Sequence, residues 1–489
     1  MENISVKQIV EAAKGRLLLG NEDQAVRAIS LDSRNMAGQD LFVPIIGEKV
    51  DAHRFICQAI LNGAVAVFTS AHENAAQVEA AIRDWEKLGN NPEPIRHAAW
   101  IAVEDTKKAL QDLGVYCRSR ITIPLVGITG SVGKTTTREM IAAALNAGFK
   151  VYRTPGNSNS QVGVPITMSE IPADAGIAVI ELGMSEPGEM EKIARIARVD
   201  SAVITNIGIA HIEQLGSREN ILKEKLNIQE GMNPEGILFL NGDDDLLKNV
   251  SAQNGHPVVF FGTSPQCSYR AMDVRLDEGY PVFTADCRGQ RIPVRLGVMG
   301  THMVSNAMAA LAVAGEYGVD LRAAAASLEE FAGYKGRQQV YELGSLTVID
   351  DSYNASPVSM KAGLEVLVSM KPGARKIAVL ADMKELGPDE AALHREIGYY
   401  IAEHPVDQVL LLGDLAAQIG AGIAEKNGNT PFIRCGSPDE IEAWLRRETA
   451  EGDCILFKGS NSMRLGNVVT KFISARQLLS PAGEAKYQG

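Results

Sequence analysis

The run Val126-Gly127-Ile128-Thr129-Gly130-Ser131-Val132-Gly133-Lys134-Thr135-Thr136-Thr137 contains the residue types that hold polyphosphate. It follows an apolar, strand-like stretch and opens a helical pattern over 138–147, with Gly148 as its stop. In that setting glycines let backbone N–H groups close on phosphate oxygens, and the start of the helix favours anions. Lys134 then reaches the outer phosphates and Thr135 offers a hydroxyl to Mg²⁺. Gly130, Ser131, Val132, Gly133 and Thr136 are expected to line the same cradle. The strict G-x-x-x-x-G-K-[ST] spacing asks for glycine at 128, where this chain has Ile128; Gly127 and Gly130 flank it. Glu181 and His211 each follow an apolar run of the strand type. In parallel α/β sheets ligands gather beyond the carboxyl ends of strands, so a phosphate cradle, a carboxylate and an imidazole meet there as a candidate metal site.

The elements that position these residues follow from periodicity. Apolar runs at 121–129, 176–182, 201–207 and 235–241 alternate with amphipathic helical patterns, which predicts a parallel sheet with right-handed crossovers. Residues 257–299 carry short strand-like runs and turn residues, expected as a small antiparallel insertion. New strands at 345–351, 376–382, 408–414 and 454–459 predict a second doubly wound unit. The fold class is therefore α/β in three domains. These are expected at 1–104 (small amino-terminal α/β), 105–335 (central, P-loop type) and 336–489 (carboxyl-terminal, Rossmann-like), in line with a chain of 489 residues. The polar stretch 87–97 reads as a surface loop, and Asp243-Asp244-Asp245 as a solvated acidic turn.

Composition narrows the function. The net charge is −12, and no basic stripe is present, which argues against a nucleic-acid partner. The longest low-charge stretch, 307–315, falls short of the roughly 20 residues that span a bilayer. No signal peptide is read at the amino terminus, and the six dispersed cysteines read as reduced cytosolic thiols, so a cytoplasmic location is expected.

Together these motifs resemble the Mur ligase family over nearly the whole chain. G-I-T-G-S-V-G-K-T-T-T (127–137) resembles its phosphate loop, and T-P-G-N-S-N-S-Q-V-G-V-P (154–165) its Asn-rich substrate loop, which implies substrate contacts by Asn157 and Asn159. E-L-G-M-S (181–185) and N-I-G-I-A-H-I-E-Q-L-G-S (206–217) imply Glu181 and His211 as metal ligands. G-T-H-M-V-S-N-A (300–307) implies a nucleotide contact by Asn306, Gly336-Arg337 a hinge arginine that reaches the ATP phosphates, and I-D-D-S-Y-N-A-S-P (349–357) a ribose contact by Asp351. L-D-S-R (31–34) resembles the UDP-sugar domain, with Ser33 and Arg34 as substrate contacts. L-A-D-M-K-E-L-G (380–387), His394 and K-G-S-N-S-M-R (458–464) resemble the domain that brings in the amine, with Ala381, Ser356 and Asn461 as departures from the usual residues.

The resemblance implies an ATP- and Mg²⁺-dependent ligase of peptidoglycan precursor synthesis. Its expected substrates are UDP-N-acetylmuramoyl-tripeptide and D-alanyl-D-alanine, and a monomer is expected. Lys134, Lys225, His211 and Arg337 are the expected catalytic groups. A sibling ligase that adds the third peptide residue carries D-N-P-R, absent here; a P-loop switch of the guanine type would need N-K-x-D, also absent. The family has a carbamylated lysine after the histidine motif, and Lys223 and Lys225 both fall there. On a helix over 217–232, at 100° per residue, Lys225 lies in the apolar stripe of Ile221, Ile228 and Met232, whereas Lys223 lies on the wet face. Burial favours the neutral amine that adds CO₂, so Lys225 is the expected carbamate and metal ligand.

Overall fold

The computed structural model describes residues 4–47, 49–251, 255–426 and 428–479. Among the described residues three large sheets succeed one another along the chain, beside a two-stranded antiparallel ribbon of Ile4–Ser5 and Ala25–Val26. The first has five strands in the order Arg16–Leu19, Ala99–Ala102, Ala64–Thr69, Asp40–Phe42, Ala28–Ser30.

The central sheet has nine strands. Leu125–Thr129 lies inside it, between Ile177–Glu181 on one side and Ser201–Ile204 on the other, all parallel. From this strand the chain runs to one side of the sheet, and after Ile177–Glu181 it crosses to Ser201–Ile204 on the other, so the carboxyl end of Leu125–Thr129 is a switch point where loops part and a ligand can enter. Glu181 stands level with Ile128, and Ile204 with Thr129. Three strand ends therefore present their loops at one height. The residues expected as an antiparallel insertion continue this same sheet: Val258–Gly262 and Tyr269–Asp277 join in parallel, and Tyr280–Cys287 and Gln290–Arg295 then follow antiparallel.

Alternation along Leu125–Thr129 sends successive side chains to opposite faces. Val126 and Ile128 pack with Met140, Ile141 and Leu145 of helix Lys134–Leu145 and with the alanine-rich helix Met303–Glu316. Leu125 faces Leu110 and Leu113 of helix Thr106–Ser119, and the same core runs on into Ile9, Leu41 and Ala66 of the first sheet. The amino-terminal unit is thus seated on the central one by shared apolar burial, the dominant favourable term in folding.

The third sheet orders its strands Gln339–Leu343, Leu346–Asp351, Cys454–Lys458, Lys376–Ala381, Gln408–Leu412, Phe432–Cys435, parallel except for the first hairpin. Asp351 pairs in register with Lys458 at its upper edge.

Some local expectations change. The stretch 87–97 is not wholly loop: Glu93–His97 forms a short helix with a proline in its first turn, and Ile95 is fully buried. Proline is well suited to the first turn of a helix, and Ile95 supplies the apolar anchor. The helix carrying Lys225 ends earlier than expected, spanning Arg218–Leu226 and tightening into a 3₁₀ turn at Asn227–Gln229. The acidic turn is bonded rather than simply solvated. Asp243 accepts from the backbone and hydroxyls of Thr263 and Ser264, Asp244 from Ile207 N at 2.8 Å, and Asp245 pairs with Arg218.

Candidate active site

The phosphate loop is shaped by Thr205 and Asn206, just beyond the end of the adjacent strand Ser201–Ile204. Ser131 N donates to Asn206 O at 3.0 Å, Val132 N to Asn206 Oδ1 at 2.9 Å, and Asn206 Nδ2 returns a bond to Val132 O at 2.8 Å. Thr205 Oγ1 also donates to Val132 O, at 2.8 Å. Two glycines are required. A Cβ on Gly130 would lie 1.9 Å from Thr205 Oγ1, and Gly133, at φ +82, turns the chain into the helix beside Asn306. Ile128, where the strict motif has glycine, is a buried strand residue, so the cradle begins at Gly130.

Side chains converge on this loop from four directions. Lys134 Nζ donates to Gly130 O at 2.9 Å, and Lys225 Nζ to the same oxygen at 3.0 Å. Lys225 is 1% exposed, whereas Lys223 is exposed, as the helix-face argument requires. Thr135 Oγ1 donates to Glu181 Oε2 at 3.0 Å, and Asn159 Nδ2 to Glu181 Oε1 at 2.7 Å. Thr137 Oγ1 donates to Asn306 Oδ1 at 3.1 Å, which fixes the helix Met303–Glu316 against the loop. Arg337 stacks over the ring of Tyr353 at 4.2 Å, near Glu181 and Asp351. Burial pushes the Lys134 ammonium below its ordinary range, with Glu181 opposing and Arg337 reinforcing that shift. Lys225 is lowered much further, first by burial and then by Lys134. Burial, with Lys134 and Lys225 nearby, lowers His211 to about 4. Lysines pressed toward neutrality beside an arginine form a site built for an anion.

Arg138 is a site residue that sequence reasoning missed. Fully buried, its Nη1 donates to Glu181 Oε2 at 3.1 Å and to Gly156 O at 2.9 Å, while Nε and Nη2 hold Glu139 Oε1 at 3.0 and 2.6 Å. It thereby ties the loop at 154–165 to the Glu181 carboxylate. The signal available was a cation early in a helix, where the dipole disfavours it unless carboxylates compensate. His302, within a string singled out above, is a second missed residue: it lies near Asp351, and its buried Nδ1 has no partner. Lys458 Nζ donates to Asp351 Oδ2 at 2.6 Å, also within a string singled out above.

Other expected residues lie apart from this cluster. Ser33 is buried and Arg34 largely exposed in the first domain, Arg34 paired with Asp32 at 2.8 Å. Asn157 is exposed, its carbonyl accepting from Asn159 N at 2.7 Å. His211 meets Glu385 of the third domain rather than Glu181, with Nδ1 2.9 Å from Oε2. His394 is buried and accepts from Met383 N at 2.9 Å, a role in shaping the 382–387 loop. Among the described residues no three His, Cys, Asp or Glu side chains form a ready cation cage. The donor set nonetheless suits Mg²⁺, which is held by one or two protein groups and completed by phosphate oxygens. The Ser131 hydroxyl and His211 Nδ1 are both buried without a hydrogen-bond partner beside the loop.

The fold and site define a three-domain, P-loop α/β ligase architecture. The Mur ligase family catalytic-domain profile matches residues 25–115, the Mur ligase middle domain 128–314, and the glutamate ligase domain of Mur ligases 336–461. The chain belongs to the Mur ligase family. It is 35% identical over 474 residues to the UDP-N-acetylmuramoyl-tripeptide--D-alanyl-D-alanine ligase of Bacillus subtilis, covering 96% of this chain and 98% of that one. Among solved structures, MurF from Acinetobacter baumannii matches with a TM-score of 0.83 at 28% identity, covering 97% of this chain and 99% of that chain. MurF ligase from Thermotoga maritima in complex with ADP matches at 0.76 and 27% identity, covering 93% and 99%.

Proposed function

We propose that this chain joins D-alanyl-D-alanine to UDP-N-acetylmuramoyl-tripeptide with ATP, giving the UDP-muramoyl-pentapeptide of peptidoglycan synthesis. The observation that carries the chemistry is the convergence of Lys134, Lys225, Arg337 and the Thr135–Glu181 pair on one loop at the sheet's switch point. The near full-length likeness to D-alanyl-D-alanine ligases gives the substrates.

In this reading the terminal carboxylate of the tripeptide attacks the γ-phosphorus of ATP, and ADP leaves. The dipeptide amine then attacks the acyl phosphate carbon, and inorganic phosphate leaves. Several anionic oxygens must approach one another in the first step. Lys134 and Arg337 neutralise that charge, and backbone N–H groups of Gly130–Thr136 cradle the phosphates. Asn306 and Asp351 hold the nucleoside end. Thr135, Glu181, His211 and a carbamate on Lys225 are the groups that would hold Mg²⁺. Bound there, Mg²⁺ would offset phosphate charge and fix the orientation of the phosphates. Asn157 and Asn159 meet the peptide side of the substrate, and Ser33 and Arg34 its diphosphate. Acyl phosphates hydrolyse, so docking of the third domain over the loop excludes water. No helix among the described residues is long and apolar enough to cross a membrane, and we place the enzyme in the cytoplasm as a monomer.

The test is phosphate release by the full chain with ATP, Mg²⁺ and UDP-muramoyl-tripeptide, with and without D-alanyl-D-alanine. Sustained turnover and pentapeptide formation should require the dipeptide. Phosphate release at one rate regardless of either substrate would leave only a nucleotidase.

A further inference from the structure

The contact between His211 and Glu385 joins two domains and is chemically unfinished. Nδ1 and Oε2 stand 2.9 Å apart, yet Nδ1 has no hydrogen-bond partner, so the pair is close without an aligned proton between them. Both residues are held at positive φ, +62 for His211 and +65 for Glu385, a conformation that non-glycine residues adopt at a cost. Functional sites are where such backbone is retained.

The third domain presents Glu385 on a braced loop. Met383 N donates to His394 Nε2 at 2.9 Å, Lys384 N to Ser460 Oγ at 2.9 Å, and Lys384 Nζ to Asp382 Oδ2 at 2.8 Å. Asp382 in turn accepts from Ala416 N at 2.8 Å. Beyond Glu385, Gly387 lies against Glu213, where an added Cβ would stand 3.7 Å from Glu213 Cα. The loop is thus anchored beneath and seated directly on the segment that carries His211. The other charged groups facing His211 are Lys134, Lys225 and Glu189.

Adjacent ligands of an octahedral Mg²⁺, each about 2.0–2.1 Å from the ion, are roughly 2.9–3.0 Å apart. The Nδ1–Oε2 separation has that value, and a carboxylate oxygen is the donor Mg²⁺ prefers. The geometry points to Glu385 as a metal-site carboxylate delivered by the third domain, facing the metal together with His211 only when that domain is docked. This rests on the assignment of His211 to the metal site. Its consequence is reciprocal: metal with nucleotide favours the docked domain, and docking tightens the metal.

The experiment is Mn²⁺ binding to the full chain with ADP, followed by electron paramagnetic resonance, for wild type, Glu385→Gln and His211→Ala. Glu385 is 59% exposed, so its replacement leaves the folded core intact. Glu385→Gln should weaken Mn²⁺ by about tenfold or more, the scale of losing a group that supports a metal site. ADP affinity without metal should stay as in wild type. Small-angle scattering should show Mn²⁺ with ADP compacting wild type but not Glu385→Gln. If Glu385→Gln binds Mn²⁺ as wild type does while His211→Ala does not, the proposal for Glu385 is overturned and the His211 site stands. If neither variant changes Mn²⁺ binding, the assignment of His211 falls, and the role of Glu385 with it.

Discussion

Lys225 and Lys134 direct their amino groups at one acceptor, the carbonyl oxygen of Gly130, at 3.0 and 2.9 Å. Two ammonium groups this close repel, and burial adds the cost of desolvating each. The arrangement is eased when Lys225 is neutral, and turned to attraction when Lys225 carries a carbamate beside Lys134.

That relationship gives a pH prediction. A lysine amine adds CO₂ only when unprotonated, and burial lowers the Lys225 pKa well below its usual value. The carbamate should therefore form at pH 7, without the alkaline pH an ordinary lysine needs. ¹³C NMR with labelled bicarbonate should show one carbamate signal at neutral pH that Lys225→Ala abolishes. The same variant should lose activity sharply and regain part of it with added acetate or formate. Lys223→Ala, altered on an exposed face, should behave as wild type; loss and rescue there instead would reverse the assignment.

Lys134→Ala should lower turnover by at least ~10²-fold, the usual scale for one preorganised electrostatic group. Steady-state pentapeptide formation measures it. Near-normal ligation would remove Lys134 from the phosphate site.

Arg34 lies in the first domain with its side chain 85% exposed, paired with the local Asp32. It is free to turn toward a diphosphate. Arg34→Ala should raise KM for the UDP-muramoyl-tripeptide and leave KM for ATP nearly unchanged. A change confined to ATP would show the two nucleotide sites to be interchanged.

Arg138→Met should destabilise the protein by about 3–5 kcal/mol, because Glu181 would remain buried without its ion-pair partner and Glu139 would keep Arg153 but lose the buried guanidinium. Arg138→Lys should recover only part, since one ammonium cannot fork between Glu181, Glu139 and Gly156 O. Denaturant unfolding compares the two, and equal stability of Arg138→Met and wild type would count against the network.

Features whose cause is local were legible from the chain alone. The strand–loop–helix order around Gly130–Lys134 and Glu181 at a strand end follow from glycine spacing and apolar runs, although the helix begins at Lys134 and ends at Leu145 rather than covering 138–147. Lys225 was separated from Lys223 by helix geometry alone, although the helix is shorter than expected and part of the apolar stripe lies in the turn after it. Residues 93–97 were misread because proline and polar neighbours mask a helix whose burial depends on Ile95 finding the first domain's core.

The sequence by itself determined which residue types could bind phosphate and metal, where strands and helices alternate, and which lysine faces inward. Tertiary structure alone decided how those groups pair. Arg138 and Glu181 are 43 positions apart and meet because parallel register brings Glu181 level with Ile128, below the start of the helix that carries Arg138. His211 and Glu385 meet only because two separate sheets dock. Periodicity reports which face of an element is buried; which distant charge waits on the other side is set by register and domain packing, which no local pattern encodes.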